Sequence, residues 1–350
     1  MTTAKSVRVS ADGISWFTLP GNSGEWNDEA EQIDDTIFGQ TFSSTQPGLI
    51  TWTSNAQAFY KGFAGYVASI KSSGTPTAIT DEPMTLVSGK TYRVTDRTKN
   101  ALDYTKAITF NDGGTPVDAA NIESVNPLFG EVTFAASYTP TGAITVSGFY
   151  LPLTEVSRAN SFTLTQTAET IDHTDYATAH ANNGYRVFRP GLRTISLELG
   201  GFYDSSDAVW EILEQRREAI IEINPDGSGL SVARGVFKLV TRNQSGDVGA
   251  LEEQTRTFNL SVPEGVALPF NWTHDPDTTL SQAIRILLDS YINQTLPYVR
   301  YEPDGDEGVV FQGQGVLTDV SLSSSLDAMN EFQASIQGSD APARGTLASL

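Results

Sequence analysis

The stretch Ala168-Glu169-Thr170-Ile171-Asp172-His173-Thr174 repeats the earlier stretch Ala30-Glu31-Gln32-Ile33-Asp34-Asp35-Thr36 at five of seven positions. Each copy is followed by the same tripeptide and then by an aromatic pair: Pro47-Gly48-Leu49 with Phe59-Tyr60, and Pro190-Gly191-Leu192 with Phe202-Tyr203. A chain that carries one building block twice is typically made of repeated structural units. Pro-Gly is also a common turn signal, so both tripeptides predict turns whose glycine needs a positive φ.

A second set of echoes lies further along the chain. It consists of Pro225-Asp226-Gly227 with Pro303-Asp304-Gly305, Gly235-Val236 with Gly315-Val316, and Phe258, Leu260, Val262 with Phe332, Ala334, Ile336. The order of the echoes predicts nesting. We expect one split domain at 1–60 and 266–340, a complete copy at 157–265, an inserted β-rich domain at 61–156, and a flexible C-terminal tail at 341–350.

Composition narrows the classes of function. The 350 residues include no cysteine, and 42 acids against 22 bases give a net charge of −20. We find neither a secretory leader nor an apolar run of about 18 residues, and therefore expect a chain that is neither secreted nor membrane-spanning. The charge argues against conventional DNA binding, which needs Lys and Arg to displace counterions. It is compatible with a wall past which DNA slides.

Most of the sequence has the pattern of strands. Apolar and polar residues alternate in 162–167, 195–199 and 258–262, as they do in strands with one buried face. Two segments have a helical period instead, from Asp204 to about Arg217 and from Thr278 to about Ile292. The fold class predicted is mainly β, with packed antiparallel sheets, one flanking helix in each repeated domain, and a β-sandwich-like insertion.

These patterns resemble the major tail-tube proteins of long-tailed bacteriophages. The resemblance is carried by 168–174, by Tyr185-Arg186-Val187-Phe188-Arg189-Pro190-Gly191-Leu192, by the alternating 196–202, and by the closing pair 319–322 and 332–338. It covers 157–265 and, less fully, the two chain ends, and does not extend to the insertion. It rests on pattern and not on an invariant motif.

The resemblance implies a structural virion protein. Domains of this family join sheets edge to edge into rings, and the stacked rings form a tube that conducts DNA during ejection. Two such domains in one chain imply trimeric rings with pseudo-sixfold symmetry, which is our inference from the duplication. We expect the inserted domain at 61–156 on the outside of the tube, because inside the bore it would obstruct DNA. The implied partners are further copies of the chain, the tape-measure protein, tail-end proteins and DNA in transient passage, with no membrane. The implied location is the phage tail of the virion, after synthesis in the host cytoplasm.

The candidate site is an acidic segment that contains no base. Its acids are Glu25, Asp28, Glu29, Glu31, Asp34 and Asp35, which are interpreted as a loop that lines the lumen or contacts the next ring, or as a solvated loop. A second acidic group, at 302–307, lacks the ligand pattern of a calcium loop. The long loops at about 37–46 and 175–189 are expected to contact the next ring, as the family implies.

The sequence offers little for other functions. His173, His180 and His274 lack metal-ligand spacing, and no nucleophile or phosphate-loop motif is present, so we expect no enzyme, cofactor or metal. Trp52 and Trp210 are expected in the core, while Trp16, Trp26 and Trp272 are either interface anchors or half-buried. The alternatives are another phage tail or baseplate component, a β-sandwich carbohydrate-binding adhesin and, last, a hydrolase.

Overall fold

A computed structural model of the chain describes residues 5–38, 41–156, 158–202, 217–246, 252–275, 277–278, 280–305 and 308–347. The chain is mainly β, with 59% of residues in strands and 8% in helices. The predicted fold class, mainly β with antiparallel sheets, is confirmed.

The first part of the chain, up to residue 156, is made of strands and two 3-10 turns, Gly65–Val67 and Ala119–Asn121. The strands are β1 Ser6–Ser10, β2 Phe17–Thr18, β3 Gly21–Asp34, β4 Thr45–Ala64, β5 Ser69–Ser73, β6 Thr77–Ser88, β7 Thr91–Val94, β8 Thr109–Asp112, β9 Thr115–Pro116, β10 Ile122–Asn126, β11 Glu131–Phe134, β12 Ile144–Tyr150 and β13 Leu153–Glu155. Gly113 and Gly114, with φ of 57° and 84°, close the β8–β9 turn in the conformation that glycine favours.

The rest of the chain adds longer strands and two described helices. They are β14 Ala159–Asp172, α1 Tyr176–Ala181, β15 Phe188–Phe202, β16 Ala219–Asn224, β17 Ser231–Ser245, β18 Glu253–Leu260, β19 Phe270–His274, α2 Gln282–Asn293, β20 Tyr298–Glu302, β21 Val310–Ser325 and β22 Met329–Gly345. Residues 341–345, which the sequence predicts as tail, continue β22 and pair with β21, so the tail is shorter than predicted.

The helices differ in part from the prediction. α2 begins at Gln282, not at Thr278, and ends with Gln294 in the left-handed conformation. α1 is not predicted, and it is capped by Asp175, whose side chain accepts from the Thr178 backbone N–H. The helix expected from Asp204 lies outside the described residues apart from Arg217. No described helix has the length and apolar character needed to span a bilayer.

The chain forms two compact units. Unit 1 contains residues 1–66, 162–197 and 276–350, and unit 2 contains 67–161 and 198–275. In this division, residues 162–197 belong to unit 1, whereas the rest of the second repeat belongs to unit 2. The predicted domain limits, which follow the duplication, stay a prediction.

Unit 1 is organised around one sheet with strand order β3-β4-β22-β21-β14-β15. Strands β20, β1 and β2 extend from the first residues of β21. On β4, β22 and β21 the buried side chains occupy alternate positions, with Trp52, Phe332 and Val320 among them. Helix α2 contacts β1 and β21 through a face that includes Ile284 and Leu288, both fully buried. This is the apolar stripe that the helical period predicts.

Unit 2 contains a sheet with strand order β18-β17-β16-β5-β13, and β19 pairs with β17. Within the predicted β-rich insertion, residues 77–150 form a separate seven-stranded sheet, β10-β11-β7-β6-β12-β8-β9, whereas β5 and β13 belong to the first sheet. The core of the seven-stranded sheet includes Leu102, Phe134 and Val146. Alternate residues of β11 and of the first half of β12 are buried, as in strands that turn one face to a core.

The insertion is held on β16 and β17 by apolar and ionic contacts within unit 2. Phe129 and its neighbour Leu128 pack with Ile220 and Val236. The Arg234 guanidinium, which is buried, donates to Glu222 Oε2 at 2.8 Å, Asn100 Oδ1 at 2.6 Å and the Leu128 carbonyl at 2.7 Å. Loss of any of these acceptors would leave part of the buried Arg234 charge uncompensated. The three contacts therefore fix the orientation of the insertion on β16 and β17.

Candidate functional site

Two hairpins carry the repeated sequence. Hairpin 1 is β3 with β4, and hairpin 2 is β14 with β15. A Cβ added to Gly48 would lie 3.1 Å from Glu31 Cβ and 3.2 Å from Ile33 Cδ1. A Cβ on Gly191 would lie 3.1 Å from the Glu169 carbonyl oxygen and 3.3 Å from both Glu169 Cβ and Ile171 Cγ1, so the same two residues face the glycine in the other copy. The repeated residues therefore make the same contacts twice.

The predicted turns at Pro47, Gly48, Leu49 and at Pro190, Gly191, Leu192 are wrong. Both tripeptides lie inside strands, β4 and β15, and neither glycine has a positive φ. Glycine is favoured there because the facing Glu and Ile side chains leave little space for a side chain.

One face of the unit 1 sheet is polar. Opposite the buried residues, side chains from β3, β4, β22 and β21 form rows across the strands. The rows are Asn27-Thr53-Gln337, Glu25-Asn55-Ser335-Asp319, Ser23-Gln57-Gln333-Ser321 and Phe59-Glu331-Ser323. We name these residues the polar face. A row of four strands spans about 14 Å.

Apart from Phe59, the polar face carries amides, hydroxyls and carboxylates. Its charged residues are Glu25, Asp319 and Glu331, and its rows contain neither Lys nor Arg. Burial raises the pKa of Asp319, since no cation offsets the loss of solvent. Sequence analysis missed Asp319 and Glu331 as members of a site, although the alternation of β21 and β22 could have placed them opposite the buried residues.

The acidic segment is a strand, not the predicted loop. Glu25, Asp28, Glu29, Glu31 and Asp34 all lie on β3 and are exposed, and Asp35 follows it. The strand divides them between its two faces. Glu25 and Glu29 lie opposite Asn55 and Thr51 on the polar side, whereas Asp28 lies opposite the buried Trp52. The six acids therefore do not form one site.

The last acids of the segment stabilise the end of hairpin 1. Asp34 accepts from the Thr36 side chain and backbone, and these hydrogen bonds lower its pKa. Hydrogen bonds from Ser44 and Gln46 lower the pKa of Asp35, and Gln46 Nε2 lies 2.6 Å from Asp35 Oδ2. These two carboxylates order the chain locally.

The outer edge of hairpin 1, at β3, is left unpaired by the described strands. Among the described residues, β3 pairs with β4 and with no other strand, over a length of 14 residues. Its equivalent in hairpin 2, β14, lies between β15 and β21. An unpaired edge presents backbone N–H and C=O groups to any strand that approaches. Charged side chains, here all acidic, are a common protection against indiscriminate pairing.

The two strands of hairpin 2 are connected by residues 173–187, which we name the second arm and which include α1. The second arm folds back over the sheet of unit 1. The Ile50 N–H donates to the Gly184 carbonyl, and the Arg186 N–H donates to the Ile50 carbonyl, both at 2.9 Å. The Arg186 side chain pairs with Glu31 of hairpin 1 and with Asp172 of hairpin 2. Asp340 of β22 donates its backbone N–H to the Arg186 carbonyl.

The connection in hairpin 1 is the first arm, of which residues 35–38 and 41–44 are described. Ser44 accepts from Asp35 and donates to Thr36, so the arm extends the hairpin. Phe38 and Phe42 are exposed, Phe42 by 85%. The predicted inter-ring contact of the two arms stays a prediction.

Tryptophans anchor hairpin 1. Trp52 is buried, as expected, and its Nε1 donates to the Asp340 carbonyl at 2.9 Å. Trp26 stacks on it with ring centroids 4.2 Å apart. A Cβ on Gly313 or Gly338 would lie 2.3 or 2.0 Å from the Trp52 ring. Trp272 is buried, whereas Trp210 lies outside the described residues.

The described residues contain no group of three His, Asp or Glu side chains placed to hold a metal ion. His274 Nδ1 lies 3.1 Å from Ser231 Oγ. In the second acidic group, Glu302 is buried and pairs with Arg8, while Asp306 and Glu307 lie outside the described residues.

Two solved structures are similar to part of this chain. One is the tail of an empty gene transfer agent particle with C6 symmetry, at 15% identity, 35% coverage of this chain, 87% coverage of the other and a TM-score of 0.30. The other is the virion of a native gene transfer agent particle, at 15% identity, 35% and 88% coverage and a TM-score of 0.29. Similarity this slight says nothing of what the chain does. No protein-family model matches the chain. No curated protein matches it in sequence.

Proposed function

We propose that this protein is the structural subunit of a phage tail tube. Three copies form a ring, the rings stack, and the bore conducts double-stranded DNA during ejection. The other partners are the tape-measure and tail-end proteins. The subunit is made in the host cytoplasm and ends in the virion, and it acts without catalysis, cofactor or membrane.

The polar face carries this proposal. DNA binds proteins by exchanging condensed counterions for Lys and Arg, so a wall that lacks cations does not retain it. The rows of the polar face, such as the one from Glu25 on β3 to Asp319 on β21, carry amides, hydroxyls and carboxylates. Such a face on the inside of a ring keeps the bore hydrated and repels phosphates. We assign it to the lumen.

The free edge of β3 supports ring formation. A heterologous contact between two different edges closes into a ring when its rotation allows. Within unit 1, β21 already holds β14, the equivalent of β3. The echo of Gly315-Val316 in Gly235-Val236 makes β17 the equivalent of β21. Lys238 to Ser245, the outer half of β17, pairs with β18, and its pairs with β16 end at Phe237. This outer half is therefore the acceptor for β3 of another copy.

Assembly of the purified protein tests the function. We expect native mass measurement to detect trimers and negative-stain microscopy to show rings or tubes with a central channel. A chain that remains a monomer at every concentration and salt level would contradict the proposal and favour the binding-module alternative.

Cysteine labelling of the tubes tests the lumen assignment, because the chain contains no cysteine of its own. Gln333→Cys on the polar face is expected to react with a polymer-linked maleimide before assembly and to be protected in tubes. Ser88→Cys, on the exposed insertion, serves as the matched control and is expected to react in both states. Equal labelling of both variants in tubes would place the polar face outside.

A further inference from the structure

The second arm makes a contact with β4 that has no counterpart for the first arm among the described residues. Tyr185 forms an isolated parallel bridge with Ile50, and the flanking Gly184 and Arg186 hold the Ile50 backbone on both sides. Tyr185 is half-buried there, and burial together with the charge of Asp28 raises its pKa. The backbone around Tyr185 on one arm thus pairs with β4, which belongs to the hairpin of the other repeat.

The repeat identifies the counterpart of each member of this contact. Counting back five residues from Pro190 leads to Tyr185, and the same count from Pro47 leads to Phe42. Counting forward three residues from Pro47 leads to Ile50, and from Pro190 to Arg193. Phe42 therefore stands in the first arm where Tyr185 stands in the second. Arg193, preceded by Leu192, stands in hairpin 2 where Ile50 stands in hairpin 1.

Phe42 and Leu192, the residue before Arg193, are uncovered apolar surface. Phe42 is 85% exposed on the first arm. Leu192 is 77% exposed on hairpin 2, and Ile171, which lies near the Gly191 backbone, is 52% exposed. The Arg193 guanidinium is held by the Tyr291 and Ile292 carbonyls, so it forms a fixed cationic border beside Leu192. An aromatic ring fits such a border, because its face attracts a guanidinium.

The direction of the second arm determines which molecule is the partner. From hairpin 2, its contacts pass Asp340 on β22, Ile50 on β4 and Glu31 on β3. It therefore runs toward the β3 side of the sheet. The same course taken from hairpin 1 leads past β3, which is the last of the described strands on that side. Beyond that edge, only another copy can supply a hairpin 2.

We propose that Phe42 of one copy docks on the Leu192–Arg193 segment of a second copy and repeats between molecules the contact that Tyr185 makes with Ile50 within one. This inference rests on the proposed ring. The contact is apolar where the internal one is partly ionic, because the first arm has Ser43 at the place of Arg186.

Cross-linking of assembled protein tests the contact. Phe42→Cys and Leu192→Cys are made in separate chains, mixed, assembled and treated with a short bis-maleimide. We expect dimers from the mixture and none from either variant alone. The pair Ile50→Cys and Tyr185→Cys in one chain is the positive control for the internal contact. A chain carrying both Phe42→Cys and Leu192→Cys should give a ladder that ends at the trimer.

The outcomes separate the two proposals. Tubes that form without a Phe42–Leu192 cross-link, while the control pair reacts, would overturn the docking and leave the tail-tube function standing. Cross-linking within single dilute chains would also overturn it. Failure of the unmodified protein to assemble at all would overturn the function, and the docking with it.

A second measurement covers the case in which the cysteine variants assemble poorly. Phe42→Ser is expected to raise the critical concentration for assembly roughly tenfold or more, since an aromatic side chain loses its burial. Phe42→Tyr, which installs the ring found at Tyr185, should leave it within about twofold. Leu86→Ser, which removes an exposed apolar residue from the insertion, is the matched control. Equal effects of Phe42→Ser and Leu86→Ser would contradict the docking.

Discussion

Hairpin 1 and hairpin 2 have the same local design and different surroundings. Gly48 and Gly191 approach the same pair of residue types, Glu and Ile, on the facing strand. However, β14 lies beside β21, whereas the outer edge of β3 has no partner among the described residues. The comparison teaches that the duplication preserved the contacts within each hairpin but not the pairing of its outer strand. The outer edge of β14 is paired with β21, whereas the outer edge of β3 is available to another copy.

The two hairpins also differ in how they are anchored. Trp52 of hairpin 1 covers Gly313 and Gly338, which lack the side chains that would collide with its ring. The corresponding residue of hairpin 2, counted from the shared Pro-Gly-Leu, is Ile195, which is also buried. The strand β3, whose outer edge the described strands leave unpaired, therefore belongs to the hairpin with the larger buried anchor.

The largest effect is expected from substitutions that disrupt the Trp52 anchor. Trp52→Ala should lower the free energy of unfolding by about 3–5 kcal/mol, because it leaves a large cavity and removes the hydrogen bond to Asp340. Gly338→Ala should also destabilise strongly, since its methyl would lie 2.0 Å from the Trp52 ring. Chemical denaturation measures both.

The double variant Trp52→Leu with Gly338→Ala is the control for that prediction. The smaller side chain makes room for the methyl, so the cost of Gly338→Ala should fall in this background. Strict additivity of the two substitutions would show that the ring does not press on Gly338.

A smaller effect tests the equivalence of the hairpins. Gly48→Ala and Gly191→Ala should each cost about 1 kcal/mol, because the facing Glu and Ile, including the Glu169 carbonyl oxygen at Gly191, must move by a few tenths of an ångström. Neither glycine has a positive φ, so backbone strain adds nothing. Thermal unfolding of the two variants should give matching shifts. A difference of more than about 1 kcal/mol between them would mean that the two hairpins pack differently.

The smallest effect concerns the ionic tie between the hairpins. Arg186→Gln should cost about 0.5 kcal/mol, and less at high salt, because Glu31 and Asp172 are partly exposed. Burial alone would raise the pKa of Asp172, but hydrogen bonds from Thr174 and the Arg186 charge outweigh it and lower that pKa. The contribution of Asp172 to stability is therefore complete above its ordinary pKa and is lost as the pH falls through the lowered value.

The pH dependence distinguishes this tie from a general loss of charge. In Arg186→Gln, part of the acid-labile stability of Asp172 should disappear, which denaturation at several pH values between neutral and acidic would measure. Arg189→Gln, at an exposed position on β15, is the charge-matched control. An identical pH profile for both variants would exclude a role for the Arg186 tie.

Local patterns predicted a large part of the fold. The alternation at 162–167 and 258–262 predicted β14 and β18, and the helical period after Thr278 predicted α2 to within four residues at its start. The insertion was predicted as β. The acidic segment was predicted by composition but not its conformation, because a strand with exposed polar residues on both sides has the same composition as a loop.

What the sequence by itself determined is the duplication, the strand period and the position of the acids, since these depend on residues close together in the chain. The tertiary structure decided that Pro-Gly-Leu is strand and not turn, because the demand for glycine comes from a facing strand. It also decided which acids share the polar face. A strand's two faces are equivalent until a sheet buries one of them, and which edge stays open depends on strands hundreds of residues apart, such as β4 and β22.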